Sequence, residues 1–188
     1  MTPVQIFGLG GIPEVQERHD LAELIAASLR RAGLRLSQGD VLVISSKVIS
    51  KAQGLRAPSD QPRQDVVDAH TVRVVAERLT PGGMTKIVES AAGPVMAAAG
   101  VDDSNTGPGG GSLVLPSDPD LAARSLYAAL LTAYAPTPLP LIGIVISDTA
   151  GRPWRQGQTD FAVGACGVQV LVDLKGYPDT DGRLMMVT

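Results

Sequence analysis

Leu141-Ile142-Gly143-Ile144-Val145-Ile146-Ser147-Asp148-Thr149 is an aliphatic run that gives way abruptly to side chains bearing oxygen. Ile144 to Ile146 are all β-branched and favour extended chain. The absence of polar alternation predicts a strand covered on both faces from Leu141 to Ser147. Upstream, Pro136, Pro138 and Pro140 form a stiff link into it. Before that link lies the clearest helix. Asp118 stands at its cap, Pro119 in its first turn, and Ala122, Leu126, Ala129, Leu130 and Ala133 share one face.

Further out, Val41 to Ile44 predicts a second strand of the same buried kind. It follows a helix capped by Asp20 with a stripe of Leu21, Leu24, Ile25 and Leu29, ended by Gly33 and the Ser37-Gln38-Gly39-Asp40 turn. Gln5 to Leu9 reads as a short strand before the Gly10-Gly11-Ile12-Pro13 turn. Residues 57–65 read as a loop, and Val66 to Leu79 as a helix stopped by Pro81-Gly82-Gly83. Strands are expected at Thr85 to Glu89, briefly at Leu113 to Leu115, and as a final strand or pair at Val168 to Leu174 and Leu184 to Val187. Helices and strands alternate loosely, without regular crossover units. The fold class is therefore mixed α+β rather than a Rossmann-like sheet.

Composition narrows the function. A net charge of −3 supplies no global field to recruit nucleic acid, and no Lys/Arg run or zinc-finger spacing does so locally. Aromatic residues make up only 3%, which argues against a stacking platform for single strands. The single cysteine, Cys166, excludes an internal disulfide and fits a reducing cytosol. With no membrane-spanning run or signal-peptide pattern, the expectation is a cytoplasmic protein with neither membrane nor nucleic-acid partner.

Three segments carry candidate chemistry. Asp148 ends a rigid strand, where a carboxylate suits Mg²⁺ or Mn²⁺ and the neighbouring Thr149 oxygen suits a second ion. It is equally a turn former before Ala150-Gly151. Asp102 and Asn105 lie in a loop whose Gly100 and Gly107 allow close backbone approach to a ligand. That pair fits metal and a phosphate or ribose oxygen, or else a surface Asx turn. Lys47 and Lys51 follow the Val41 to Ile44 strand; on a helix their i,i+4 spacing puts both ammonium groups on one side, facing a triphosphate or only solvent. Arg152 and Arg155 add guanidinium forks near Asp148. Gly109-Gly110-Gly111-Ser112 lacks the ending of a Walker loop. His19 and His70 read as cap or surface residues, Cys166 as a packed small residue, and Trp154 as part of the core or site wall.

Ser45-Ser46-Lys47-Val48-Ile49-Ser50-Lys51, Ala99-Gly100-Val101-Asp102-Asp103-Ser104-Asn105 and Ser147-Asp148-Thr149-Ala150-Gly151-Arg152 occur in this order, followed by Trp154-Arg155-Gln156-Gly157-Gln158-Thr159-Asp160. With the Gly11-Ile12-Pro13-Glu14-Val15 turn, they make the chain resemble the coenzyme F420-0:L-glutamate ligase family over essentially its whole length. The resemblance implies an α+β mixed-sheet domain spanning 1–188 that forms an intertwined homodimer. It implies a GTP-dependent reaction joining L-glutamate to coenzyme F420-0 through an acyl phosphate, in F420 biosynthesis, with two divalent cations (Mg²⁺ or Mn²⁺) and a monovalent cation (K⁺). Residue by residue, it implies nucleotide contacts from Ile12, Pro13, Glu14, Val15, Ser46, Lys47, Lys51 and Asn105. Metal ligation is implied for Asp102, Asp148 and Thr149, and phosphoryl-transfer roles for Lys51 and Arg152. The family domain continues past the equivalent of Thr188 into an acidic, Ala-rich helix and closing segment bearing another metal-binding glutamate. Two other readings use the same residues: a relative that holds nucleotide or F420 without completing ligation, and a Mg²⁺-dependent phosphohydrolase.

Overall fold

The computed structural model describes residues 3–80, 83–134, 138–151 and 156–187. The chain runs α1 (Leu21–Ala32), β1 (Val41–Ser45), α2 (Ser46–Ala52), α3 (Arg63–Ala69), β2 (Thr71–Thr80), β3 (Gly83–Ser90), β4 (Val95–Ala97), a 3₁₀ turn (Ala98–Gly100), α4 (Pro119–Ala133), β5 (Gly143–Gly151) and β6 (Gln158–Cys166). The fold is α+β with two three-stranded sheets, one mixed and one antiparallel.

The first sheet has the order β1-β5-β6. β1 lies parallel to β5 from Val41–Gly143 to Ser45–Ser147, and β6 runs antiparallel on the other side. One face of this sheet is covered by α1 and α4. There Ile25 and Leu29 meet Ala122, Leu126 and Leu130 above Ile144 and Ile146. Both helices begin as their sequences direct. Asp20 accepts from the Glu23 N–H at 3.0 Å and Asp118 from the Leu121 N–H at 2.7 Å. At the far end of α1, Gly33 takes φ 66° and the Leu34 N–H reaches the Leu29 carbonyl at 3.0 Å. Gly164 permits β6 to lie against α4, since a Cβ there would meet the Pro119 backbone at 2.5 Å.

The second sheet, β2-β3-β4, is antiparallel throughout. Its inner end packs Val88 with Val66 and Val67 of α3 and with Ala99 and Val101.

Several sequence expectations need correction. Residues 5–9 form no strand and lie mostly exposed. The predicted helix from Val66 to Leu79 stops at Ala69; Thr71, Val72, Val74 and Val75 are β-branched and extend into β2. β1 is not buried on both faces, because it is an edge strand of a sheet covered on one side; Val41 and Val43 point outward. Leu113 to Leu115 contributes isolated bridges from Leu113 to Arg56 and Asp102 rather than a strand. The final strands are absent among the described residues. Among the described residues 168–174 join no β-ladder, and Leu184 makes one bridge to Pro178. The pattern reading passed over β6, whose Gln158–Asp160 start is polar. In α4, Ala123 is buried and Ala129 exposed, which turns the expected stripe slightly. Pro136 and Pro81 lie outside the described residues. No described helix is long and apolar enough to cross a membrane.

Candidate functional site

β5 leaves the core at Ile146, the last fully buried residue of its inward-facing row, and Asp148 is the next side chain on that face. The pairing with β1 ends at Ser147, so among the described residues no strand lies beside β5 beyond it on that side. β1 turns directly into α2 at this level. The first α2 residue, Ser46, is buried and donates its hydroxyl to Asp148 Oδ1 at 3.0 Å. Behind it, the Ser50 hydroxyl donates to the Val114 carbonyl at 2.7 Å, tying α2 to the segment opposite.

That segment brings in Asp102. The Asp102 N–H donates to the Leu113 carbonyl (3.0 Å) and the Leu113 N–H to the Asp102 carbonyl (2.8 Å), so the backbone here is fixed on both sides. Gly100 has φ 78°, and a Cβ on it would meet Leu115 Cδ1 at 2.5 Å; its freedom makes room for packing under the loop. Ser46, Lys47, Gly100, Asp102 and Asp148 thus line one shallow cleft.

The electrostatics of the two carboxylates differ. Burial pushes the Asp148 carboxyl up, hydrogen bonds from the Thr149 backbone and Ser46 oppose it, and the Asp102 charge adds to the rise; the net direction is upward. Burial also acts on Asp102, but hydrogen bonds from Lys47 and Ser104 outweigh it and hold this carboxyl below its ordinary value. Lys47 Nζ lies 2.8 Å from Asp102 Oδ2.

α2 is helical across both lysines, so the i,i+4 condition is met and the two ammonium groups emerge on the side of the 102–107 loop. Lys51 is almost fully buried and pairs with Glu14, which reaches in from the N-terminal segment. Gly107 leaves space for this pair; a Cβ there would lie 3.0 Å from Glu14 Oε1. The N-terminal segment is pinned against α1 and α2. Val15 is buried, the Gly10 carbonyl accepts from Ser28 at 2.7 Å, the Gly11 carbonyl from Arg31 at 2.8 Å, and the Arg18 N–H donates to Ala52 at 2.9 Å. Ile12 is half-buried and Pro13 exposed on the same segment.

Other candidates stand further off. Thr149 alternates to the sheet face opposite Asp148, and its hydroxyl donates to Asp160 Oδ1 at 2.5 Å. On the Asp148 side, Thr149 therefore offers backbone rather than its hydroxyl. Asn105 is exposed on the 102–107 loop with φ 51°, a left-handed conformation that asparagine tolerates. Arg152, Trp154 and Arg155 lie outside the described residues. His19 accepts from the Gln16 N–H and His70 bonds the Val66 carbonyl, so both serve local caps. Cys166 is half-buried beside the core.

Three side chains escaped the sequence reading. Arg56 ties the glycine loop by bonding the Thr106 and Gly110 carbonyls. Arg63 pairs with Asp103 at 3.2 Å and bonds the Val101 carbonyl at 2.9 Å. Asp160 faces Thr149 across the β5–β6 ladder. Only Asp160 carried a sequence signal, its place in the Gln158-Thr159-Asp160 segment.

As a donor set, the cleft offers carboxylate, hydroxyl and carbonyl oxygen and no nitrogen or sulfur ligand, which suits a hard divalent ion. Among the described residues no third acidic, histidine or cysteine side chain joins Asp102 and Asp148.

A family model described as F420-0:Gamma-glutamyl ligase matches residues 10–188. A protein named coenzyme F420:L-glutamate ligase from Methanopyrus kandleri is 37% identical over 205 aligned residues, which cover 96% of this chain and 77% of that protein. Proteins of the same name from Archaeoglobus fulgidus (35% identical, covering 98% of this chain and 76% of theirs) and Halobacterium salinarum (33%, covering 97% and 74%) are similar over the same extent.

Proposed function

The chain belongs to the F420-0:gamma-glutamyl ligase family, and on that footing we propose that it joins L-glutamate to coenzyme F420-0 in a GTP-dependent reaction through an acyl phosphate. The observation that carries this reading is the meeting of Asp102, Asp148 and Lys47, drawn from three separate segments, in one cleft. A carboxylate is a poor electrophile, so an amine attacks it only after phosphorylation. In this reading Asp102 and Asp148 hold Mg²⁺ or Mn²⁺, with the Thr149 backbone oxygen toward a second ion and K⁺ as a further activator. The ions supply neutralisation of charge on the transferring phosphoryl group.

The chain's own residues do the rest. Lys51, desolvated and aimed at the 102–107 loop, holds a nucleotide phosphate once Glu14 releases it. Ser46, Lys47 and Asn105 contact the same nucleotide, and Ile12 to Val15 wall its site. Arg152 steadies the acyl phosphate oxygens as glutamate attacks. The exposed apolar side chains of β2 and β3, among them Val74, Val75, Leu79 and Met84, support a homodimer. A reducing cytoplasm suits the free Cys166.

The test is mass spectrometry of F420-0 incubated with the protein, GTP, Mn²⁺ and glutamate. A product heavier by one or more glutamyl residues, with GDP released, is expected. Phosphate release that does not require glutamate or F420-0 would identify a phosphohydrolase instead. Nucleotide binding without turnover would identify a binding protein.

A further inference from the structure

The Lys47 ammonium has three hydrogens, and three acceptors lie around it. They are Asp102 Oδ2 at 2.8 Å, the Ser104 carbonyl at 2.6 Å and the Ser104 hydroxyl at 3.3 Å. The loop is closed on its other side too, because Asp102 Oδ1 accepts from the Ser104 N–H and hydroxyl, both at 2.7 Å. Lys47 is therefore committed to the 102–104 loop and not held out toward a phosphate. Its charge also reaches Asp148, which forms no ion pair among the described residues. One ammonium is thus acting on both carboxylates that the reading above gives to a divalent ion.

We propose that Lys47 holds the place of the divalent cation in the ion-free protein, and that ion binding releases its ammonium from Asp102 to the nucleotide phosphates. The proposal rests on the assignment of Asp102 and Asp148 as ion ligands. Its physical basis is like-charge exclusion: an ammonium and a divalent ion cannot share one carboxylate edge without mutual repulsion. Lys47 is a flexible point charge on a four-carbon stem, so it can leave. Its root on α2, one turn from Lys51, keeps the freed ammonium at the same cleft. Ion and nucleotide are then linked through one side chain, each favouring the other.

The experiment measures Mn²⁺ affinity of the whole chain without nucleotide, from the electron paramagnetic resonance signal of the free ion. It compares wild type, Lys47→Gln, Lys47→Arg and Asp102→Asn. Removing the competing charge in Lys47→Gln should tighten Mn²⁺ binding about tenfold, within the usual range of coupling between sites. Lys47→Arg keeps the charge and should stay close to wild type. GTP affinity, measured with and without saturating Mn²⁺, should show a smaller gain from the ion in Lys47→Gln than in wild type. Circular dichroism establishes that each variant is folded. Unchanged or weaker Mn²⁺ binding in folded Lys47→Gln would overturn the exchange while leaving the ion site standing. Equal Mn²⁺ affinity in wild type and Asp102→Asn, or no binding by wild type, would remove the ion site itself and the exchange with it.

Discussion

The two sheets of this protein are built from similar residues and used in opposite ways. In the first, the inward row of β5 is buried under α1 and α4 as far as Ile146, with Ile144 and Ile146 both at 0% exposure. In the second, β2 and β3 pair over eight residue partnerships, yet only the inner end is packed. Val88 is at 0% exposure, whereas Leu79 near the far end is at 78%. The first sheet finds its cover within the chain, so its strand ends are rigid enough to hold Asp148 and to launch α2. The second sheet spends apolar side chains on solvent, which is unfavourable for a free surface and favourable for one that a partner covers.

The largest expected effect is in the first sheet. Ile146→Ala removes a buried side chain between two helices and a strand, and should destabilise the protein by about 2–5 kcal/mol in denaturant unfolding. Val75→Ala in the second sheet should change stability by less than about 0.5 kcal/mol in a monomer. Equal losses at the two positions would mean that the outer half of the hairpin is covered after all.

The junction between the sheets should respond next. Gly100 follows β4 and underlies Asp102, with φ 78° and Leu115 only 2.5 Å from an added Cβ. Gly100→Ala therefore combines backbone strain with a clash, and a loss of about 1–3 kcal/mol is expected. Mn²⁺ binding should weaken as well, since the loop bearing Asp102 must shift. A variant with wild-type stability and Mn²⁺ affinity would show the packing beneath the loop to be slack.

Much of the first sheet was legible in the sequence, and the reason is local consistency. Asp20, Gly33, Asp118 and Pro119 mark helix ends by hydrogen bonding and backbone geometry that a few neighbouring residues determine. Asp102, Asp148 and the two lysines could be singled out as candidates, but nothing local showed that they meet. That depended on the Asp102–Leu113 bridge and on the parallel pairing of β1 with β5. The stretch from Val66 to Leu79 failed because its apolar residues satisfy a helix and a strand alike, and His70 is a weak stop. β6 was missed because an outer strand with a polar start carries little hydrophobic signal. The pairings of Lys47 with Asp102 and Lys51 with Glu14 were invisible for the same reason as the cleft: both partners are distant in sequence.

Charge on the hairpin should separate association from folding. Val75→Lys places an ammonium among exposed apolar neighbours and, in a monomer, should alter stability by only about 0.5 kcal/mol. In a homodimer that uses this face it should shift sedimentation toward the monomer at micromolar protein. A dimer of unchanged strength would move the interface elsewhere, and the outward Val41 and Val43 of the first sheet would be the next face to charge.

The smallest change is expected at Asp148, where the sign matters more than the size. Its folded carboxyl is raised above the ordinary value of 3.8 by burial, with Asp102 adding to the rise. Well below that value it is protonated in both folded and unfolded chains and has no effect on the balance. As pH climbs from the ordinary value through the raised one, the unfolded chain ionises first, so the folded state binds more protons and loses stability. Asp102 runs the other way. Its lowered carboxyl contributes stability above the ordinary value that is lost as pH falls through the folded one. Asp148→Asn removes the first contribution and keeps an oxygen for the Ser46 hydroxyl. In chelator-treated buffer it should be slightly more stable than wild type at neutral pH, with the gap closing as the solution is acidified below the carboxylate range. Adding Mn²⁺ should stabilise wild type and reverse the order, because the ion relieves the Asp148 charge and the amide cannot replace the carboxylate. Thermal unfolding across pH, with and without Mn²⁺, measures both effects. A gap that ignores pH would show Asp148 to be solvated in the folded chain, and the cleft would then lack the buried charge that calls for an ion.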